Sequence, residues 1–438
     1  MIKRFDNLPK VMFFLSLTVS VYAYGVLSHE YNLFPFLQIQ DAVGSVGLVV
    51  DEFFMFTRIK PDKHLFKARY EGNGVVQYDP EHMEPGSTLI TSFFEDGLQI
   101  RLLAEDGSVI NRWPVSIHAI WENLDHILPE SDRPKTDWNA LFNGIILLPD
   151  GAVVFNMFGL VKMDRCGSVI WKLPVITHHS LELSPRGSYW TGGTRYVGEK
   201  SKHPPIKVPY KIDTIMEVSG EGKVLREIAV LDILFKNDML PLLFANNRNF
   251  SPNPALDFVH LNDVEEIPTD RIDRFPMFDA GDLLVSLRQP NMVIVLDPDT
   301  EKIKWHQTGP WIQQHDVDWQ LDGTITVFDN GVDTSFSGEH LGGSNVVSID
   351  PISRAVSYLY GNQPDQHIYT SIQGDQQVLD NGNVLITESM AGRVIEVTPS
   401  GKIVWEYINR YSEKEVVLVS DAIRYPPDYL SFEDWLCD

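Results

Sequence analysis

The sequence has little cysteine: Cys166 and Cys437 are the only two in 438 residues. Two cysteines this far apart exclude a CxxC redox pair and a zinc site built on paired cysteines. They leave a single disulfide open, which would fit an oxidising compartment, but their positions alone do not decide whether they pair.

Positive charge is also scarce, with 36 basic residues against 60 acidic ones and a formal net charge of −24. Proteins that bind nucleic acid or anionic lipid without specificity need a positive surface, so this balance argues against both classes. We therefore predict no nucleic-acid partner, and we interpret the acidity as that of a soluble, self-repelling surface.

Long apolar runs are absent except for residues 11–27, which follow Lys3, Arg4 and Lys10. This run is just long enough to span a bilayer. The positive flank predicts a cytoplasmic stub and anchor over residues 1–30, with the rest of the chain on the periplasmic or extracytoplasmic side. A cleaved signal peptide ending near Ala23 is the alternative, and it also exports the main domain.

An internal repeat occupies residues 88–409, after a connecting region over residues 31–87. A strand, a glycine turn and an apolar strand recur at a constant eight-residue spacing, as from Asn143 to Gly151 and from His315 to Gly323. The second half of the unit often closes on tryptophan, at Trp171, Trp305 and Trp405. Four short strands per unit of roughly 40 residues are typical of a β-propeller.

Six units begin near residues 88, 144, 178, 260, 314 and 370. The prediction is therefore an all-β, six-bladed propeller, preceded by a transmembrane helix and followed by a tail over residues 410–438 that packs on it. We interpret the tryptophans as blade-packing residues.

Three histidines, His179, His260 and His315, begin the third, fourth and fifth units. The first strand of each blade lines the central channel of a propeller, so we expect these side chains to meet at one mouth. His178 is adjacent to His179, but strand alternation should point it away, and it is kept only as a binding candidate.

Three histidines could hold zinc with an open coordination position. Arg288, between the last two histidines in sequence, is a permanent cation that would repel a metal beside it. Arginine among neutral histidines suits an anion such as a sulfate or phosphate group. We therefore predict an anion-binding site with no metal and no cofactor.

The segments HHSLELSPRG, HLND, SLRQ and QHDVDWQLDGTITVFDNG, in that order, resemble the aryl-sulfate sulfotransferase family. Those proteins are exported six-bladed propellers that move a sulfuryl group from one phenol to another without a nucleotide donor. The resemblance implies that His315 is transiently sulfated and that His260 and Arg288 grip the sulfuryl oxygens. It also implies that Asn262 supports that pair and that His179 is an acid or base near the phenol oxygen.

Two other functions stay open: a membrane-anchored scaffold or binding subunit with a vestigial site, and a metal-dependent hydrolase. A protein partner or a homo-oligomer also stays open. Asp316, Asp318 and Glu388 lie near the predicted channel strands. Each could orient a histidine, but acids at strand ends are more often solvated, and we interpret these three as solvated acids.

Overall fold

The N-terminal apolar run forms helix α1 (Leu8–Glu30) in the computed structural model of the chain. The structure describes residues 8–30, 61–140, 142–203, 206, 208–242, 258–333, 335, 337–435 and 437. The part of the connecting region over residues 31–60 lies outside them. Residues Pro9–Ser28 have a mean hydropathy of 1.7 and are long and apolar enough to cross a membrane, a test that a signal sequence also passes. The chain divides into two units, Met1–Ile59 and Lys60–Asp438, and α1 belongs to the first.

The second unit is a six-bladed β-propeller of antiparallel sheets, which confirms the predicted fold class. Its blades, each from the channel outward, are as follows. Blade 1 has β27 (Val419–Tyr425), β3 (Ser87–Phe94), β4 (Gly97–Leu103) and β5 (Val109–Pro114); blade 2 has β6 (Asn143–Leu147), β7 (Val153–Asn156), β8 (Leu160–Met163) and β9 (Val169–Leu173); blade 3 has β10 (Thr177–Leu183), β11 (Tyr189–Val197), β12 (Tyr210–Val218) and β13 (Val224–Ala229).

Blade 4 has β14 (Leu261–Glu266), β15 (Leu283–Leu287), β16 (Met292–Asp297) and β17 (Lys302–Thr308); blade 5 has β18 (His315–Trp319), β19 (Ile325–Asp329), β20 (Asn345–Ile349) and β21 (Val356–Tyr360); blade 6 has β22 (Asp375–Val378), β23 (Val384–Glu388), β24 (Arg393–Val397), β25 (Ile403–Ile408) and, outermost, β2 (Gly74–Tyr78). Strands β1 (Leu65–Lys67) and β26 (Glu415–Val417) pair separately, and the short helices α2 (Ile117–Ile120) and α3 (Val230–Lys236) lie between strands.

Blade 1 draws its strands from both ends of the repeat region, because β27 pairs with β3. The predicted boundary at residue 409 therefore needs correction: residues 419–425 belong to the ring and are not part of a tail packed on it. The physical reason is that β3, β4 and β5 alone would leave the inner edge of the blade unpaired. Strand β2 pairs with β25 and so extends the outer edge of blade 6. Its residues lie in the stretch that was predicted to be the connecting region.

Tryptophans that end the outer strands fasten one blade to the next. The indole N–H groups of Trp113, Trp171, Trp305 and Trp405 each donate to a backbone carbonyl in the outer-strand turn of the following blade, at Asp164, Gly220, Pro351 and Glu105. Trp405 thus joins blade 6 to blade 1 and helps to close the ring. The interpretation of Trp171, Trp305 and Trp405 as blade-packing residues agrees with these contacts.

The residues after β27 cross the blade 1–blade 2 boundary. The Tyr429 hydroxyl donates to the Leu147 carbonyl at 2.6 Å, and the Trp435 ring lies 5.5 Å from that of Trp113. Cys437 forms a disulfide with Cys166 in the β8–β9 turn, which closes a sequence separation of 271 residues.

Candidate active site

The six innermost strands, β27, β6, β10, β14, β18 and β22, enclose the central channel, and three of them position the predicted histidines. His179 lies within β10, His260 directly precedes β14, and His315 is the first residue of β18. His179 and His260 have backbone φ values of +58° and +50°, and a β-bulge interrupts the register of each of the three strands here. Bulges re-aim side chains at strand ends, and here they occur where the three rings turn toward one another.

The three rings converge on one point. One ring nitrogen from each of His179, His260 and His315 lies within 4.8 Å of the other two. The Nε2 atoms of His179 and His260 are 3.1 Å apart. The structure therefore brings together the histidines that the repeat had placed in register.

The proton on His315 is positioned by Asn330. The Nδ2 group of Asn330 donates to the carbonyls of Thr370 at 2.8 Å and Gln373 at 2.6 Å. That leaves its Oδ1 atom facing His315 Nδ1 at 2.6 Å, where it accepts a hydrogen bond. A neutral imidazole has one N–H, so His315 carries it on Nδ1 and presents a lone pair at Nε2.

Sequence reasoning missed Asn330, although it lies in the FDNG segment. The signal was present: the Gly323 turn pairs His315 with Phe328, so a residue two positions further on had to lie beside the start of β18. What the pattern could not give is that its side chain turns toward the imidazole.

A similar set of hydrogen bonds orients His179. The Nε2 atom of His178 lies 3.1 Å from the Gly193 carbonyl and 3.6 Å from an Asp213 carboxylate oxygen, so His178 donates from Nε2. Its Nδ1 atom is then an acceptor for His179 Nδ1, which is 2.7 Å away. His179 consequently presents its own lone pair at Nε2. His178 does not line the channel cavity, and it acts on the site through its neighbour.

Arg288 follows β15 and is held beside His260 by the hairpin that β14 and β15 form. Its backbone N–H donates to the His260 carbonyl at 3.0 Å, and its guanidinium donates to Gln313 Oε1 at 2.7 Å and to the Ser371 carbonyl at 3.4 Å. The Asn262 amide is buried and donates to the Gln314 carbonyl at 2.6 Å, so it supports the residue that precedes His315.

Burial sets the protonation of the histidines. It lowers the pKa of His315 to about 3, and the neighbouring His260 and Arg288 act in the same direction. Burial also lowers the pKa of His179 well below its usual value, assisted by the charges of His260, His178, His315 and Arg288. Both imidazoles are therefore neutral at pH 7, which is the form that a nucleophile or a general base requires.

The channel that extends from the histidines is a cavity of about 380 Å³. Its carboxyl groups are those of Glu182, Asp263, Glu265, Asp316, Asp318, Asp375 and Asp421. Burial raises the pKa of Asp263 to about 7 and that of Asp316, Asp318 and Asp421 well above the usual range.

Asp316 and Asp318 line this cavity and are partly exposed, so their interpretation as solvated acids stays a prediction. That interpretation was wrong for Glu388, which is fully buried and paired with Arg69 and Arg393.

A family comparison covers the region that contains this site. The profile of the arylsulfotransferase (ASST) family matches residues 144–410, which is more than half of the chain. The chain belongs to the arylsulfotransferase family. Membership supports a sulfotransferase-type function and small aryl substrates, and the matched region contains the three histidines, Arg288 and Asn330.

Two solved structures that resemble the chain do so at low identity. A protein of unknown function from Bacteroides caccae is 13% identical, with a TM-score of 0.48 over 77% of this chain and 98% of that one. A virginiamycin B lyase from Staphylococcus aureus is 12% identical, with a TM-score of 0.34 over 62% of this chain and 70% of that one. No curated protein sequence matches the chain.

Proposed function

We propose that the chain transfers a sulfuryl group from an aryl sulfate to a phenolic or other hydroxyl acceptor through a sulfated His315. The observation that carries the proposal is the Asn330–His315 hydrogen bond, which leaves the Nε2 lone pair of a buried, neutral imidazole directed at His179 and His260. Membership of the arylsulfotransferase family supports the same chemistry.

In the first half-reaction, the His315 Nε2 lone pair attacks sulfur. The N–S bond forms while the bond from sulfur to the aryl oxygen breaks, and the phenolate leaves with the bonding electron pair. N–H donors of Arg288 and His260 neutralise the sulfuryl oxygens as charge redistributes. Preorganised donors in a site that excludes water are the strongest contribution that a protein makes to such a step.

In the second half-reaction, an acceptor hydroxyl attacks the sulfur of sulfo-His315 and gives its proton to His179 Nε2. The S–N bond breaks and its electrons return to His315. The negative sulfuryl group close by favours a protonated His179. That proton is available to the next leaving phenolate, so aryl sulfate and acceptor are exchanged for phenol and sulfated acceptor without net proton change.

We also infer that α1 anchors the chain in a membrane and that the propeller works on the extracytoplasmic side. Lys3, Arg4 and Lys10 flank the helix on its N-terminal side, which favours a cytoplasmic N-terminus. The Cys166–Cys437 disulfide fits an oxidising compartment.

The test is turnover of a chromogenic aryl sulfate with a phenol acceptor. Wild type is expected to release phenol with ping-pong kinetics, and brief exposure to donor alone should leave one sulfuryl group on His315, detected by peptide mass spectrometry at neutral or alkaline pH. His315→Ala should abolish both signals. His306→Ala is the matched control, since His306 is exposed on the outer strand β17. A wild type that shows no release above His315→Ala across a donor panel would overturn the proposal.

A further inference from the structure

We propose that His179, His260 and His315 also form a binding site for a divalent transition metal, with zinc as the best-fitting ion. The proposal rests on the positions of three ring nitrogens and on how their protons are held. It needs no assumption about sulfuryl transfer.

The outer hydrogen bonds give two of the ligands in the form that a metal requires. Asn330 holds the proton of His315 on Nδ1, and His178 holds that of His179 on Nδ1. Metal-ligating histidines usually donate their second ring N–H to a carbonyl, carboxylate or similar acceptor, which fixes the ring and exposes the other nitrogen. Both lone pairs therefore point into the cluster before any ion arrives.

His260 completes the set. Its Nε2 atom faces His179 Nε2 at 3.1 Å, and since His179 offers a lone pair there, His260 donates the proton in the metal-free state. Moving that proton to His260 Nδ1 yields a third lone pair with no net loss of protons. The ion thus replaces one hydrogen bond between two histidines.

Distances fit a tetrahedral ion. Zinc–nitrogen bonds of about 2.0–2.1 Å place tetrahedral ligand atoms about 3.3–3.4 Å apart. The three nitrogens already lie within 4.8 Å of one another, and one pair is at 3.1 Å. Side-chain rotation would have to bring the wider spacings to this value on binding. Three histidines with an open fourth position are a common zinc ligand set.

Arg288 opposes a bare cation but suits a metal that carries an anion. Its guanidinium is tied to Gln313 and Ser371 beside the cluster, and its charge acts on both His179 and His315. A hydroxide, chloride or sulfate as fourth ligand would lie between the metal and the guanidinium and offset their repulsion. We therefore expect an anion to strengthen metal binding.

One consequence rests on the proposed function. The metal would occupy Nε2 of His315, the same lone pair that attacks sulfur, so zinc should inhibit transfer competitively with the aryl sulfate. Metal binding itself is measured without any sulfate ester, so its failure and the failure of the sulfotransferase proposal are distinguishable.

The experiment is titration of the full, metal-stripped chain with Zn²⁺ by calorimetry, and with Co²⁺ by visible absorption. Wild type should bind one ion per chain, and Co²⁺ should show the d–d bands of tetrahedral nitrogen coordination. His179→Ala and His260→Ala should each weaken binding at least tenfold, and Asn330→Ala should weaken it about 10- to 100-fold by releasing the outer hydrogen bond.

His306→Ala is the control and should bind as wild type does, while circular dichroism confirms that every variant is folded. Two outcomes would overturn the proposal: wild type that takes up no ion at micromolar concentration, or binding that survives unchanged in a His179→Ala/His260→Ala double variant. The second outcome would assign the ion to surface groups such as the exposed His82–Asp79 pair.

Discussion

Single residues determine whether the histidine cluster is chemically competent. The three rings meet because a repeat unit places each at the start of an inner strand and a bulge then turns it toward the channel mouth. Their reactivity depends on Asn330 and His178, which decide where the ring protons lie.

Replacing Asn330 tests that dependence. Asn330→Ala removes the acceptor for His315 Nδ1–H. The imidazole can then carry its proton on Nε2, where it has no lone pair left to attack sulfur. A loss of about 1.5–3 kcal/mol of transition-state stabilisation corresponds to roughly a 10- to 100-fold fall in kcat. Steady-state kinetics should show this fall with KM for the donor little changed.

Asn111→Ala is the control for Asn330→Ala, because Asn111 makes a comparable amide-to-carbonyl bond between blades, to Arg165, away from the site. Equal losses of kcat in the two variants would mean that Asn330 contributes only to the fold.

Gly144 shows how close the backbone comes to the site from blade 2. It has a φ of +69°, and a Cβ atom there would lie 2.3 Å from the His179 carbonyl and 2.7 Å from the Leu181 nitrogen. Gly144→Ala must therefore push β10 and displace His179. We expect a loss of stability of about 1–3 kcal/mol and a fall in transfer rate of at least tenfold.

Gly187→Ala separates backbone strain from the clash at Gly144. Gly187 also has a positive φ, +81°, but a Cβ atom there meets nothing within 4 Å. Thermal unfolding should show some destabilisation in both variants, and transfer assays should show the large rate loss in Gly144→Ala alone. A similar transfer rate in the two variants would mean that the clash of residue 144 with His179 does not cause the rate loss.

The positions of the site histidines followed from the sequence because they obey the repeat, whereas their partners did not. Asn330 follows a strand end, and His178 lies off the channel cavity, as alternation predicts, but it contacts His179 through Nδ1. A β-bulge lies between His178 and Leu181, and nothing in the local composition predicts it. Glu388 was taken for a solvated acid because its partner Arg69 lies 319 residues away in the sequence.

At the level of elements, the blades are held in a ring by strand sharing and by indole hydrogen bonds. The glycine turns and terminal tryptophans predicted blades 2–6 well, because each blade folds from neighbouring residues. Blade 1 could not be completed in the same way. Its inner strand β27 comes more than 300 residues after β3, and no turn links the two.

Trp405 provides a test of ring closure. Its indole is fully buried and donates to the Glu105 carbonyl of blade 1 at 2.8 Å. Trp405→Phe leaves that carbonyl without this donor and removes part of the ring, with an expected cost of about 1–3 kcal/mol measured by urea unfolding. Trp138→Phe is the control. Trp138 stacks on Phe93, and among the described residues its indole N–H donates no hydrogen bond. Equal costs would contradict a specific role for the inter-blade bond.

On the scale of the whole molecule, part of the acidity of the chain comes from carboxyl groups that line the central channel. Burial raises the pKa of Glu182, Asp263, Glu265, Asp316, Asp318 and Asp421, which line one channel. Asp316 and Asp421 each also share a hydrogen bond with Asp375, which requires a proton between the carboxyl groups. The folded chain therefore holds protons that the unfolded chain releases.

This difference predicts how stability depends on pH. A carboxyl group whose pKa is raised in the folded state stabilises the fold fully below its unfolded pKa, and this stabilisation is lost as pH rises through the folded value. For Asp263 the loss spans the range from the ordinary value of 3.8 to about 7. His179 and His315 act oppositely, since their lowered pKa values cost stability as pH falls below 6.5. Above pH 6.5 the histidines no longer contribute a slope, and the carboxyl groups alone should make the melting temperature fall toward pH 8.5.

Asp421→Asn isolates the channel in that pH range. The neutral amide cannot ionise, so the variant should melt about 2–4 °C above wild type at pH 8.5 and show a flatter pH profile by calorimetry. Glu81→Gln removes the same formal charge from an exposed position and should leave the profile parallel to that of wild type. If both variants raise the melting temperature equally, general charge repulsion on the acidic surface causes the loss of stability. If only Asp421→Asn does so, the cause is the carboxyl groups that line the channel.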